Sequence, residues 1–490
     1  MNRSEPGRGA VMADVPVGGR PFQVEANGIN VITDAERRGT PRQLFWPWFA
    51  ANVSVFGLSY GSFVLGFGIS FWQAVLVGIV GITVSFLLCG LIAVAGKRGS
   101  APTMVLSRAA FGVRGNRLPS LISWMLTVGW ETVLTILATF ATATVFERLG
   151  WGGGTATKIV ALVVVSALAV AGGVLGFDLI MRMQTWITVI TGALTIGYIA
   201  FVAHRIDFAA VSALPSGSAQ NVVGALVFVM TGFGLGWVNA AADYSRYLPR
   251  GTSGRAVVGW TAFSSSLAPI VLLLFGLLLA GSSPELNASI ATDPIGALAA
   301  ILPTWYLVPF AVVAVLGLVG GAVLNIYSSG LTLLALGVRI PRYAASFVDG
   351  VVVVAGTVYV VFFAGAFFGQ FQGFLITLGV PIAVWCGVML ADIALRRSDY
   401  AQADLYTPSG RYGDVRVLPI VTVLAGTAIG WGLVTNTGAA WLGWQGYLLS
   451  PLGLADGWSG ANLGVLVALV TGFLVTFLAG RGRVVAQERM

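Results

Sequence analysis

Phe49-Ala50-Ala51-Asn52-Val53-Ser54-Val55-Phe56-Gly57-Leu58-Ser59-Tyr60-Gly61-Ser62 lies inside an apolar run, yet it is studded with Asn, Ser and Gly. Further along, Thr231-Gly232-Phe233-Gly234-Leu235-Gly236-Trp237-Val238-Asn239 repeats the pattern, Phe-Gly-Leu included. Membrane helices interrupted at corresponding places in two halves of a chain point to an inverted-repeat architecture with a site near the bilayer midplane. Unwinding a helix there frees backbone donors and acceptors, which is tolerated only where protein or a wet cavity satisfies them. Small residues also let membrane helices pack closely, so simple packing is the competing reading of both stretches.

The two stretches belong to a ladder. Hydrophobic residues make up 57% of the 490 positions and charged residues 9%, where a soluble domain carries roughly 25% charged. Runs of about 20 apolar residues cross a bilayer as helices. Twelve can be drawn, at 43–68, 70–95, 118–146, 158–177, 183–203, 221–241, 257–281, 306–334, 344–364, 370–391, 417–436 and 460–480. The interrupted stretches fall in the first and the sixth. Of 27 Lys and Arg, only Arg148, Lys158 and Arg205 lie on one side of this ladder; all the others share the opposite side with both termini. Lys/Arg-rich connections mark the cytoplasmic face, so both termini are expected there, in a multi-pass protein of the cell membrane. Adding or dropping one span would invert every later loop and erase the bias. The net charge of +8 is scattered singly through short loops, which sets topology rather than forming a nucleic-acid surface. The lipid bilayer is the partner this pattern requires, and no obligatory protein partner is evident.

Several chemistries are disfavoured. The first 42 residues are polar and rich in Gly, Pro and Arg, without the apolar core of a signal peptide. Cys89 and Cys386 lie within apolar runs and read as small packed thiols. The single histidine, His204, stands beside Arg205 and Asp207 at a span end and reads as a solvated loop residue. No phosphate-binding loop, no Ser-His-Asp arrangement and no Cys/His cluster occurs. No cofactor, no metal site and no enzyme activity are expected.

The residues that could carry chemistry sit inside spans. Thr127-Val128-Gly129-Trp130-Glu131 puts a carboxyl near the centre of span three. A charge there is expensive, so Glu131 must face a cavity, find a partner or carry a proton; proton coupling and structural hydrogen bonding are its two readings. Trp130 sits too deep for an interfacial belt and offers a flat face on which a planar ring can stack. Phe233 and Trp237 of span six could supply the opposing face. In span eight, Asn325-Ile326-Tyr327-Ser328-Ser329-Gly330 brings an amide able to pair with the polar edge of a heterocycle, or to bond another helix. Gln370 and Gln372 near the end of span ten are weaker candidates.

With these residues placed, the chain resembles the nucleobase:cation symporter-1 family, in its purine and cytosine permease branch. The resemblance runs from about residue 40 to about residue 416 and is carried by short marks in order. These are Ser107-Arg108-Ala109-Ala110-Phe111-Gly112-Val113-Arg114-Gly115, Gly129-Trp130, Ala242-Asp243-Tyr244-Ser245-Arg246-Tyr247-Leu248-Pro249, Asn325 to Leu331, and Leu390-Ala391-Asp392 followed by Arg396-Arg397. It implies an all-α membrane protein of 12 transmembrane helices, the 5+5 inverted repeat of the leucine-transporter type plus two C-terminal helices. The corresponding division is a tail over 1–42, a core over 43–391 with halves 43–203 and 221–391, a loop over 392–416, two helices over 417–480 and a tail over 481–490. It further implies alternating access driven by an ion gradient, with a planar nitrogen heterocycle held between aromatic residues of spans three and six. On the matching positions Trp130 is the stacking residue and Phe233 or Trp237 its partner. Asn325 matches the family's Asn-x-Tyr-Ser motif, Asn52 and Ser54 lie at the expected break of span one, and Thr127 and Gly234 stand beside these positions as further substrate contacts.

One departure bears on coupling. Sodium-coupled relatives hold the ion with span-one carbonyls and span-eight hydroxyls, as a hard cation wants oxygen ligands. Here the equivalent stretch is Val319-Gly320-Gly321-Ala322-Val323-Leu324, without a hydroxyl. A proton is therefore the expected coupling ion, with Glu131 its carrier, and sodium the alternative. The same scaffold could serve a vitamin precursor, a hydantoin or allantoin-like ring, or an amino acid, because fold does not fix ligand. A channel is the remaining rival, disfavoured because no ring-forming filter motif is present.

Overall fold

The computed structural model describes residues 28–174, 177–338, 340–364 and 367–490. The beginning of the expected tail, with Arg3, Arg8 and Arg20, and Arg339 in a later loop lie outside the described residues. Every regular element among the described residues is helical, as hydrocarbon demands of a chain that must satisfy its own backbone. The principal elements are α1 Phe45–Asn52, α2 Phe56–Leu65, α3 Phe71–Gly99, α4 Arg117–Arg148, α5 Thr155–Val174, α6 Phe177–Val202, α7 Ala219–Gly232, α8 Gly254–Gly281, α9 Leu307–Ala335, α10 Arg342–Phe362, α11 Phe367–Leu395, α12 Val417–Trp431 and α13 Gly464–Arg489.

Among the described residues nine helices are long and apolar enough to cross a membrane, and α1 with α2 makes a tenth that bends by 65°. α5 and α12, at the positions of the expected fourth and eleventh spans, are shorter apolar helices. α13 runs on to Arg489 through residues expected as a tail. Partners explain the extension: Arg483 donates to the Ala110 carbonyl at 2.8 Å and Gln487 to the Ala109 carbonyl at 3.2 Å. Two short helices, Pro284–Thr292 and Pro294–Ala300, fill a connection for which hydropathy predicts none. Their signals are local: Ser283 and Asp293 cap them, and Pro follows each cap. Both pack onto α2, whose Ser59 and Ser62 donate to the carbonyls of Pro294 at 3.2 Å and Asn287 at 2.9 Å.

Both interrupted stretches depart from α-helix. In the first, Asn52 donates its amide to the Trp48 carbonyl at 2.8 Å, Val53 leaves the helical region at φ −87, ψ 86, and Ser54 accepts the Phe56 N–H at 3.3 Å to start α2. Short polar side chains compete in this way with the helix ladder. In the second, α7 ends at Gly232, and two 3₁₀ turns, Gly234–Gly236 and Val238–Ala240, lead into a short helix over Ala241–Ser245. Gly234 is needed for close approach, since a Cβ there would run into the backbone of Ser85 on α3.

The helices group by packing. α2, α3, α7 and α8 form one set, α4, α5, α9 and α10 another, and α1 bridges them through α8, α6 and α9. α11 packs on α4, α7, α12 and α13.

The connections that carry the arginines meet at one end of the bundle, the basic end. There Arg108 donates to the carbonyls of Ala335 and Leu405, both at 3.1 Å, and Arg246 to the Gly28 carbonyl and the Tyr327 hydroxyl, both at 3.0 Å. Asp392 on α11 pairs with Arg396 at 2.7 Å and with Arg483 on α13 at 3.0 Å. Asp243 accepts the backbone and hydroxyl protons of Thr103, both at 2.8 Å. Arg148, by contrast, bonds the Ala299 and Leu302 carbonyls at the opposite end.

Candidate functional site

α4 and α9 run antiparallel, and their contact fixes the level of the site. A Cβ on Gly321 of α9 would lie 3.0 Å from the Leu134 side chain of α4. One helical turn toward the basic end from each of these stand Trp130 on α4 and Asn325 on α9, since residues four apart share a helix face. The two residues singled out by sequence are thus at the same depth.

Trp130 is half-buried, and its indole Nε1–H has no hydrogen-bond partner among the described residues. It abuts the unwound part of span six: a Cβ on Gly236 would lie 2.8 Å from that nitrogen. The indole's ring neighbours come from α11. Phe371 and Phe374 meet it edge-on, with centroids at 5.7 and 6.0 Å. Phe371 also packs against Phe56 of α2, with centroids at 5.5 Å. An aromatic layer therefore runs from the Trp130 ring toward the end opposite the arginines.

The two aromatic residues expected across from Trp130 are packed elsewhere. Phe233 lies on Tyr60 of α2, centroids 4.4 Å apart, and is almost fully buried. Trp237 meets Trp48 of α1 edge-on at 5.7 Å and is half-buried. Phe233 follows directly on the end of α7, so its side chain leaves the helix toward α2. Sequence spacing cannot foresee that turn.

Asn325 is buried; its Nδ2 donates to the Gly321 carbonyl at 3.0 Å, and its Oδ1 has no partner among the described residues. That oxygen can accept a hydrogen bond. Asn52 and Ser54 spend hydrogen-bonding capacity on the ends of α1 and α2, as above. Thr127 donates to the carbonyls of Ser123 and Trp124 in its own helix, both at 3.0 Å. Gly234 gives its N–H to the Ser85 hydroxyl at 3.1 Å. In this arrangement these four support the site's walls.

Glu131 is fully buried, and neither carboxyl oxygen has a hydrogen-bond partner among the described residues. Its acidic neighbour is Asp349 on α10, with Ser329 of α9 beside it. Asp349, also fully buried, accepts the Ser329 hydroxyl at 2.7 Å and the Trp124 indole N–H at 2.6 Å. Sequence reasoning missed Asp349, although an acid inside an apolar span, Ser346-Phe347-Val348-Asp349-Gly350, is itself a signal.

The stretch of α9 without hydroxyls faces the break in span one. A Cβ on Gly317 would lie 3.1 Å from the Val53 carbonyl oxygen, and one on Gly321 3.7 Å from that of Ala51. Gln184 of α6 reaches the same region and donates its amide to the Gly320 carbonyl at 2.9 Å.

The profile of a family described as permease for cytosine/purines, uracil, thiamine, allantoin matches residues 31–450. The putative purine-cytosine permease YxlA of Bacillus subtilis is 24% identical, over 80% of this chain and 84% of its own. Purine-cytosine permease FCY2 of Saccharomyces cerevisiae is 23% identical, over 93% of this chain and 85% of its own. Among solved structures, the nucleobase-cation-symport-1 family transporter Mhp1, closed with bromovinylhydantoin bound, superposes with a TM-score of 0.72 at 18% identity, covering 95% of this chain and 99% of the other.

Proposed function

The chain belongs to the family of permeases for cytosine and purines, uracil, thiamine and allantoin, and on that premise we propose that this secondary transporter imports a nucleobase or closely related planar nitrogen heterocycle by proton symport. The observation that carries the reading is the pairing, at one depth, of an indole with a free N–H and an amide with a free carbonyl oxygen, against an unwound helix. A flat ring can lie on Trp130 while its edge meets Asn325. Buried polar atoms without partners cost about 1–3 kcal/mol each, and a ligand that pairs with them recovers that cost on binding. Purine-cytosine permeases are among its relatives, which supports a nucleobase over an amino acid.

Proton rather than sodium coupling is supported by the donor set. The α9 face toward the span-one carbonyls is Gly, Ala, Val and Leu, without a hydroxyl or carboxylate; Gln184 donates its amide N–H to the Gly320 carbonyl there and brings a neutral amide oxygen beside it. A hard cation is poorly served by that face. Glu131, buried in span three with no cation bonded to it among the described residues, is the carrier in this reading. The arginine-rich end is taken as cytoplasmic, with both termini there, in the cell membrane.

The test is a thermal-shift screen of the purified protein against cytosine, uracil, adenine, guanine, hypoxanthine, allantoin and thiamine, since a ligand that binds only the folded state raises its apparent stability. At least one flat ring is expected to raise the melting temperature in wild type and not in Trp130→Ala. A shift of equal size in both would move the site away from the indole. Uptake of that ring into proteoliposomes is expected to follow an imposed proton gradient without sodium; strict sodium dependence at constant pH would overturn the coupling.

A further inference from the structure

Glu131 and Asp349 differ in how their oxygens are served. Asp349 receives a donor on each oxygen, Trp124 on Oδ1 and Ser329 on Oδ2, the arrangement that suits an ionised carboxylate, which only accepts. Glu131 receives none among the described residues. Trp124, two turns before Glu131 on the same face of α4, bonds Asp349. Ser329 Oγ bonds Asp349 Oδ2 at 2.7 Å and, less closely, the Ile326 carbonyl of its own helix at 3.2 Å. With its one proton spent on these acceptors, the hydroxyl beside Glu131 has a lone pair to offer it. An acid that donates to that oxygen completes a chain of two hydrogen bonds from Glu131 to Asp349.

Direction follows from the helices. Side chains on a helix lean toward its N-terminus. α4 starts at the basic end and α9 at the other, so Glu131 leans toward the basic end and Ser329 leans back to meet it. Asp349 sits about two turns into α10, which also starts at the basic end. No Lys, Arg or His among the described residues bonds or pairs with either acid: Glu131 has no hydrogen-bond partner, and the partners of Asp349 are Trp124 and Ser329. Lys158 of α5 lies over Phe140. Asp392 of α11 is held by Arg396 and Arg483. Two buried carboxylates without a cation are costly, which favours one proton over the pair.

We propose that Glu131, Ser329 and Asp349 form a relay that shares one proton between two carboxyls and delivers it toward the basic end, a step that rests on Glu131 being the coupling acid. In the transfer the Glu131 O–H bond breaks as Ser329 Oγ takes that proton, while the original Ser329 proton passes to Asp349 Oδ2. Glu131 is left a carboxylate, Asp349 a neutral acid, and Ser329 unchanged. Asp349 is then the release group.

Infrared difference spectroscopy of the full-length protein in lipid tests this without any substrate. Wild type should show the carbonyl stretch of a protonated, buried carboxylic acid that is lost in Glu131→Gln. Ser329→Ala should shift that band because it removes the oxygen that accepts the Glu131 hydrogen bond, and Asp349→Asn should shift it, by less, because it replaces the carboxylate that polarises the Ser329 hydroxyl. Each should also slow its hydrogen–deuterium exchange about tenfold or more, equivalent to about 1.4 kcal/mol of added barrier. A band lost in Glu131→Gln but unmoved, with unchanged exchange, in both other variants would sink the relay and leave Glu131 as the coupling acid. No band assignable to Glu131 would overturn the coupling assignment itself. Ser329→Ala removes only a hydroxyl and guards against an Asp349 variant that fails to fold.

Discussion

At the basic end the buried charges are answered residue by residue: Asp392 by Arg396 and Arg483, Asp243 by Thr103, Arg108 by the Ala335 and Leu405 carbonyls. Midway along α4 and α9 the Trp130 Nε1, both Glu131 carboxyl oxygens and the Asn325 Oδ1 stand buried without a hydrogen-bond partner among the described residues. Both regions lie in the same chain and draw on the family's marks. A satisfied buried network holds elements in place, whereas an unsatisfied one is a cost the fold bears for something that binds there. Residue type alone does not separate the two kinds; partnership does.

Breaking the basic end should have the largest effect. Asp392→Ala leaves two arginines without their carboxylate and should cost about 3–5 kcal/mol, read as loss of a monodisperse peak when detergent extracts are run on size-exclusion chromatography. An unaltered peak and melting temperature would show that this end is not held by its ion pairs. Trp130→Ala should do the reverse, keeping the peak while weakening ring binding by about 1–3 kcal/mol, roughly 5- to 150-fold in Kd by calorimetry. Gly236→Ala sharpens the contrast: its Cβ would meet the Trp130 nitrogen at 2.8 Å, so it should weaken binding by displacing the indole, less than removing it does. Asn325→Ala removes one hydrogen-bonding partner and should weaken binding by about 1 kcal/mol, with an unchanged melting temperature for the free protein.

The smallest effect belongs to an ion pair that looks like the basic-end network but is exposed. Arg114 and Asp414 bond on the surface, and the hydrogen bond from Arg114 holds the Asp414 carboxyl below its ordinary range. A carboxyl lowered in the folded state adds stability that is full above its unfolded pKa and is lost as pH falls through the folded one, here below about pH 4. Solvent screens such a pair. Arg114→Ala should lower the melting temperature at neutral pH only slightly, and the two proteins should converge as pH falls below about 4; a large drop at neutral pH would show that this pair anchors the loop.

Much of the architecture was legible in the chain. Hydropathy located the long helices, and Asn52-Val53-Ser54 and Gly232 to Gly236 marked where two would unwind, because local chemistry decides both. The helices over Pro284–Thr292 and Pro294–Ala300 were legible from Ser283 and Asp293 but too short for a hydropathy window. At the site, Trp130, Asn325 and Glu131 stood out as aromatic or polar residues deep in apolar runs. The neighbours of Trp130 did not: Phe371 and Phe374 lie in a span that reads as ordinary apolar helix, and Phe233 looked as suitable until the end of α7 turned it onto Tyr60.

The sequence by itself determined that this chain crosses a membrane many times, which connections share an end, and where two of its helices come apart. Those properties depend on residues near one another in the chain, through transfer to lipid and backbone hydrogen bonding. Only the tertiary structure decided that Asp349 stands with Ser329 beside Glu131, and that α11 closes over the Trp130 ring. In lipid one apolar helix face is much like another, so which faces meet is set by shape across distant segments and leaves no periodic trace in the sequence.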